Sequence, residues 1–273
     1  MNFPTVYQLD RNVVIEVEKA TNSEPTPFID QLNAIDQPGN VISALLSMTE
    51  GHVKEHRDEQ SFRLSFERET TALDKFFKNA QTDTLSLSDV SNLASAFIQQ
   101  VTLSQDADLA FIKQIQQKFA RETSRDLAKT EYEKALSLIS ANKRKVSDKL
   151  ALVCIAAALG SKPARGILKP SRNPSDSHAF NAFADLEKIS MVSYMRVLSS
   201  TIGKTDRIEL FSFDQDLVDY YSLVKPEAAS IRSLQSPLEV SYSVPLNALL
   251  DSMLHLEGKP KVRNRVKAEL EQT

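Results

Sequence analysis

The sequence predicts a predominantly helical α+β fold, with a small sheet built from N- and C-terminal strands around a helical middle. Two observations carry this. Apolar and polar residues alternate with a period of two near both ends of the chain, and apolar residues recur every three or four positions between them. A third observation, an uninterrupted apolar run from Leu150 to Leu159, marks the centre of the helical part.

Four strands are expected. Val13, Ile15 and Val17 alternate with Val14, Glu16 and Glu18, and Phe62, Leu64 and Phe66 alternate with Arg63, Ser65 and Glu67. Near the other end Leu238, Val240, Tyr242 and Val244 do the same, and Arg207 to Phe213 reads as an interior strand. One wet face per strand suits a sheet covered on one side.

The helices follow from spacing and caps. Ser88 or Asp89 suits the N-cap of a helix through Val90, Leu93, Phe97 and Val101. Asp106 opens the next, through Leu109, Ile112, Ile115 and Phe119, with apolar spacing continuing to about Ser140. Val146–Leu159 is apolar on all sides beyond Lys149, and Phe180–Leu198 is a further helix ending near Gly203. Shorter helices are expected at 41–48, 72–79, 245–256 and 261–271. The segment 160–177, with Pro163, Gly166, Pro170 and Pro174, reads as a loop of linker character. A single domain over 1–273 is expected, with a division into 1–160 and 178–273 at that loop as the alternative.

Composition narrows the function classes. Hydrophobic residues make up 41% and charged residues 25%, so the chain is neither disordered nor fibrous. One cysteine excludes an internal disulfide framework, and burial within its apolar run makes Cys154 an unreactive thiol. The N-terminus lacks a signal-peptide pattern, and a ten-residue apolar run is about half of what a bilayer needs. The expectation is a protein of the cytoplasm, or of a host cell's interior, without a membrane partner. No P-loop, dinucleotide fingerprint, Cys-x-x-Cys or EF-hand pattern occurs, and no cofactor is expected.

Charge is informative by segment. The net charge of -3 hides a window from Lys143 to Arg172 with eight basic residues and one acid, Asp148. Lys143, Arg144, Lys145, Lys149, Lys162, Arg165, Lys169 and Arg172 form a concentrated positive field. Lys and Arg suit phosphate contacts that do not read sequence. The function expected is therefore non-enzymatic binding of nucleic acid or another polyanion, with a helical surface for self-association or a protein partner. The competing account is that cations at helix ends satisfy the dipole or solubilise a loop. A second basic stretch lies at Lys259, Lys261, Arg263, Arg265 and Lys267.

Two patterns support an enzyme instead, a metal-dependent hydrolase. His52-Val53-Lys54-Glu55-His56 matches H-x-x-E-H, which resembles the inverted zinc-protease signature. That resemblance implies His52 and His56 as zinc ligands, Glu55 activating water, and Glu131 or Glu133 as a third ligand. The polar residues from Arg57 to Gln60 fit a solvated turn equally. Asp214, Asp216 and Asp219 follow an apolar strand, where carboxylates hold magnesium or cap the next helix. Ser177 and His178 are sequence neighbours and point apart, so they make no nucleophile–base pair. A third class is a structural or assembly subunit of a virus or mobile element.

Overall fold

The structure, a computed structural model, describes residues 4–48, 59–83, 105–122, 124–201, 207–225, 228–231, 240–243 and 245–271. The fold is predominantly helical α+β. The elements in chain order are β1 (Thr5–Leu9), α1 (Arg11–Thr21), α2 (Ile29–Ile35), β2 (Val41–Ser43), α3 (Glu59–Phe76) and β3 (Gln81–Thr82). They continue as α4 (Gln105–Lys118), α5 (Ala128–Ala141), α6 (Lys149–Ala158), α7 (Lys162–Leu168), α8 (Asp176–Thr201) and β4 (Arg207–Phe211). Last come α9 (Gln215–Val224), β5 (Ala228–Ile231), β6 (Val240–Ser243), α10 (Leu246–Ser252) and α11 (Pro260–Glu271).

Two compact units emerge. The first comprises Met1–Leu103, Ser190–Val218 and Ser230–Val240; the second comprises Ser104–Ile189, Asp219–Ala229 and Ser241–Thr273. The first, the sheet unit, holds a four-stranded sheet in the order β3-β2-β1-β4. Every pairing is parallel: Val6–Gln8 face Val41–Ser43, and Thr5–Leu9 face Arg207–Phe211. N- and C-terminal strands thus share one sheet, as expected. β5 and β6 pair separately.

The helices of the sheet unit correct two expected strands. Val13–Glu18 lies in α1, where Val13, Val14 and Val17 are buried and Ile15 is exposed. The period of two and a helical face coincide over so short a run. Asp10 decides, because its carboxylate accepts from the Arg11 N–H and caps a helix. The run Phe62–Glu67 lies in α3, whose buried residues Glu69, Thr70 and Leu73 keep helical spacing, with Leu64 in solvent. Conversely Val41–Ser43, expected as helix, is β2. β1, β2, α2 and α3 share an apolar core that includes Leu9, Ile42, Leu32 and Leu73, joined by Val13, Val14 and Val17 of α1. Asp36 fixes the approach to β3: its carboxylate accepts from the backbone N–H groups of Lys78, Asn79 and Ala80 at 2.8–3.1 Å.

The second unit is helical and centred on α6, buried along almost its whole length. Asp148 caps it by accepting from the Leu150 N–H at 2.8 Å, and α4, α5, α7 and α10 pack around it. Alanines at 151 and 156–158 allow that close approach. Where one long or two collinear helices are expected to reach about Ser140, there are two, α4 and α5, with a short turn at Arg125–Leu127 between them. The linker-like segment 160–177 is corrected too. It contains α7, with Ala164, Ile167 and Leu168 buried, and Pro163 sits in the first turn, where a missing N–H costs nothing. The expected helix through Val90–Val101 lies outside the described residues. Among the described residues no helix is long and apolar enough to cross a membrane.

Candidate functional site

The basic window belongs to the helical unit and divides into two kinds of residue. Arg144 donates to Asp108 and, at 3.0 Å, to Asp148, while its guanidinium lies 4.8 Å from the centre of the Phe111 ring. Lys149 pairs with Glu187. Arg165 donates to the Phe119 carbonyl at 3.1 Å and lies 3.8 Å from Glu122. These three are largely buried and hold helices together.

The other five behave differently. Lys143, Lys145, Lys162, Lys169 and Arg172 are exposed and take part in no ion pair among the described residues. Two of them occupy strained backbone. Lys143 (φ +54°) follows α5, and Lys169 (φ +47°) ends α7, both in the left-handed region where glycine is the ordinary occupant. Around Lys143 the Arg144 N–H donates to the Ile139 carbonyl and the Lys143 N–H to the Ser140 carbonyl, the two-bond closure of a helix C-terminus. Lys162 begins α7, the end of a helix dipole that disfavours cations.

One helix ties both clusters in place. Arg144 anchors Lys143 and Lys145 to Asp108 near the start of α4. Near its end the fully buried Gln116 donates to the Leu168 carbonyl at 2.6 Å, and its own carbonyl accepts from Ser171 at 3.1 Å. That clamp fixes the loop carrying Lys169 and Arg172. Asp108 and Gln116 are eight helical positions apart, about 12 Å along the axis. Lys162 stands at the far end of α7 from Lys169, so it is not gathered with them.

The second basic stretch is largely neutralised. Lys259 pairs with Asp126, Arg263 with Asp251, Arg265 with Glu269 and Glu133, and Lys267 with Glu271.

The metal candidates are placed as follows. His52, Glu55 and His56 lie outside the described residues. Glu131 is buried and paired with Lys134; Glu133 pairs with Lys129 and Arg265. Asp214 accepts from the Leu217 N–H at 3.2 Å and so caps α9, with Asp216 in its first turn. The Asp214 N–H donates to Ser212 Oγ, which in turn donates to Asp10 at 2.6 Å. Among the described residues no group of three His, Cys, Asp or Glu side chains is placed to hold a metal. Cys154 is fully buried, and burial pushes its thiol far above the usual range. His178 is exposed, with its backbone N–H on Ser175 Oγ.

Sequence reasoning missed a polar row in the sheet unit: Gln8, Ser43 and Asp83, at the carboxyl ends of β1, β2 and β3. Two- and three-residue strands are too short to show periodicity, so nothing in the sequence joins these positions. No protein-family model, curated protein or solved structure matches this chain.

Proposed function

We propose that this protein acts by binding rather than by catalysis, and that its helical unit contacts nucleic acid or another polyanion through Lys143, Lys145, Lys169 and Arg172, with Lys162 peripheral. The observation that carries this is the contrast between two basic stretches. In 259–267 most cations are matched by acids, whereas in 143–172 five remain exposed and unpaired. Two of those five stand where glycine costs less. A residue kept in strained backbone at the surface points to a role outside stability. Arg144, Lys149 and Arg165 serve as the frame. Self-association, a protein partner and a cytoplasmic location belong to this proposal without a specific contact to support them.

Titration of labelled single- and double-stranded DNA, RNA and heparin across salt concentrations tests it. Four to five phosphate contacts give a slope of log Kd on log salt of about 3 to 4.5. Replacing Lys143, Lys145, Lys169 and Arg172 by Gln should remove most of that slope, whereas Lys259→Gln with Arg263→Gln should leave it. Binding that is absent, or unmoved by the fourfold variant, overturns the reading. Light scattering on the same samples tests self-association.

A further inference from the structure

We propose that the carboxyl ends of β1, β2 and β3 form a binding site for a hard, oxygen-seeking metal cation, held by Gln8, Ser43 and Asp83. The register places the three together. Gln8 faces Ser43 across the β1–β2 pair. Thr82 faces Ile42, and the Asp83 N–H continues that ladder to the Ile42 carbonyl at 3.1 Å, so Asp83 stands next to Ser43. Residues in register on parallel strands share a face, and this face is opposite the one on which Leu9 and Ile42 meet the apolar core.

The hydrogen-bond inventory of this row is unbalanced. Gln8 is 5% exposed and Ser43 fully buried. Oε1 of Gln8 and Oδ1 of Asp83 are both shielded from solvent, and neither accepts a hydrogen bond. Ser43 Oγ accepts from the Leu45 N–H at 3.3 Å and gives its proton to neither of these two oxygens. On the far side of β1 the neighbour of Gln8 is Leu210, which offers none. Two buried acceptors on one face of the sheet, on either side of Ser43, therefore lack a donor, an arrangement proteins rarely leave unfilled. A carboxylate taken out of water calls for a positive partner. A carboxylate, a carboxamide oxygen and a hydroxyl are the donor set of Mg²⁺ or Ca²⁺ rather than of thiophilic metals. The outer ends of parallel strands are also where open α/β sheets take their ligands.

The test is thermal denaturation of the full chain at pH 7.5, stripped with chelator and then titrated with MgCl₂, CaCl₂ or KCl, together with calorimetric titration of the same cations. A saturable rise in Tm with one of them is expected. Asp83→Asn should shift its midpoint at least tenfold, Gln8→Met should weaken it, and Asp30→Asn, an exposed carboxylate elsewhere, should leave it unchanged. If none of the three cations binds by calorimetry, or if Asp83→Asn binds as the parent does, the site is a hydrated polar pocket and the proposal is overturned.

Discussion

The imidazole of His255 lies directly on Gly160: a Cβ built on that glycine would come within 2.8 Å of ring atoms Cδ2 and Nε2. Gly160 also has φ +84°, so its lack of a side chain answers both a steric and a conformational demand. The backbone N–H of His255 holds it there by donating to the Leu159 carbonyl at 3.0 Å. Gly160→Ala should destabilise the protein by about 2–3 kcal/mol, from left-handed strain plus the clash. Combined with His255→Ala, the clash is gone and only the strain remains. Urea denaturation of the four proteins should therefore give a double-mutant cycle with a coupling of about 1 kcal/mol. Strict additivity would mean that the ring yields at no cost.

Burial lowers the His255 pKa below its ordinary value of 6.5. The unfolded chain then binds the proton more readily than the folded one. Stability is complete above pH 6.5 and declines as the pH falls below it, until the folded state protonates in turn. Hydrogen exchange of α6 amides between pH 7.5 and 5 should show that loss, and His255→Gln should flatten it.

Asp83 carries the opposite sign. Its pKa rises from 3.8 to about 6 on folding, so the folded state binds the proton more tightly. Its contribution is complete below pH 3.8 and is lost as the pH rises through 6. Asp83→Asn in chelator should stabilise the sheet unit by about 1–2 kcal/mol at pH 7.5, within the size of that shift. At pH 4 the gain should vanish. Exchange protection in β1 is the local readout.

Arg144 separates the frame from the contact surface. Its removal leaves the buried Asp108 carboxylate without its cation, which costs about 3 kcal/mol. Arg144→Ala should lower the urea midpoint strongly, whereas Lys145→Ala, one residue away and exposed, should change stability by less than about 0.5 kcal/mol. Similar losses for the two would remove the distinction between paired and unpaired cations.

Lys143 and Lys169 predict gains and losses together. Lys143→Gly and Lys169→Gly each release a left-handed residue and should stabilise by about 1 kcal/mol. Both should weaken polyanion binding. Stabilisation without weaker binding would assign these lysines to the helix ends alone.

Much of the helical unit was legible in sequence because its signals are local. The apolar run of α6 and the burial of Cys154 both follow from adjacent residues. Charge was legible as a total but not as a distribution of partners. Nothing local distinguishes Arg144, bound to Asp108, from Lys143 beside it. The sheet was half legible. β4 shows itself in its apolar run, but its partner Thr5–Leu9 lies some 200 positions earlier, and β2 and β3 are shorter than one period of evidence. In α1 and α3 the alternation was real and the inference wrong, because capping by Asp10 and packing against the sheet outweigh a pattern of three residues.

The pairing of β1 with both β2 and β4 also sets an order of events during synthesis. β1 leaves the ribosome first, and its second neighbour is Arg207–Phe211. Everything from Ser104 to Ile189, the larger part of the helical unit, is translated in between. Until β4 arrives, β1 has a bare row of amides and carbonyls, open to any strand that passes. A chain stopped after α8 would keep that edge permanently, so truncation there should aggregate even though most of the helical unit is intact.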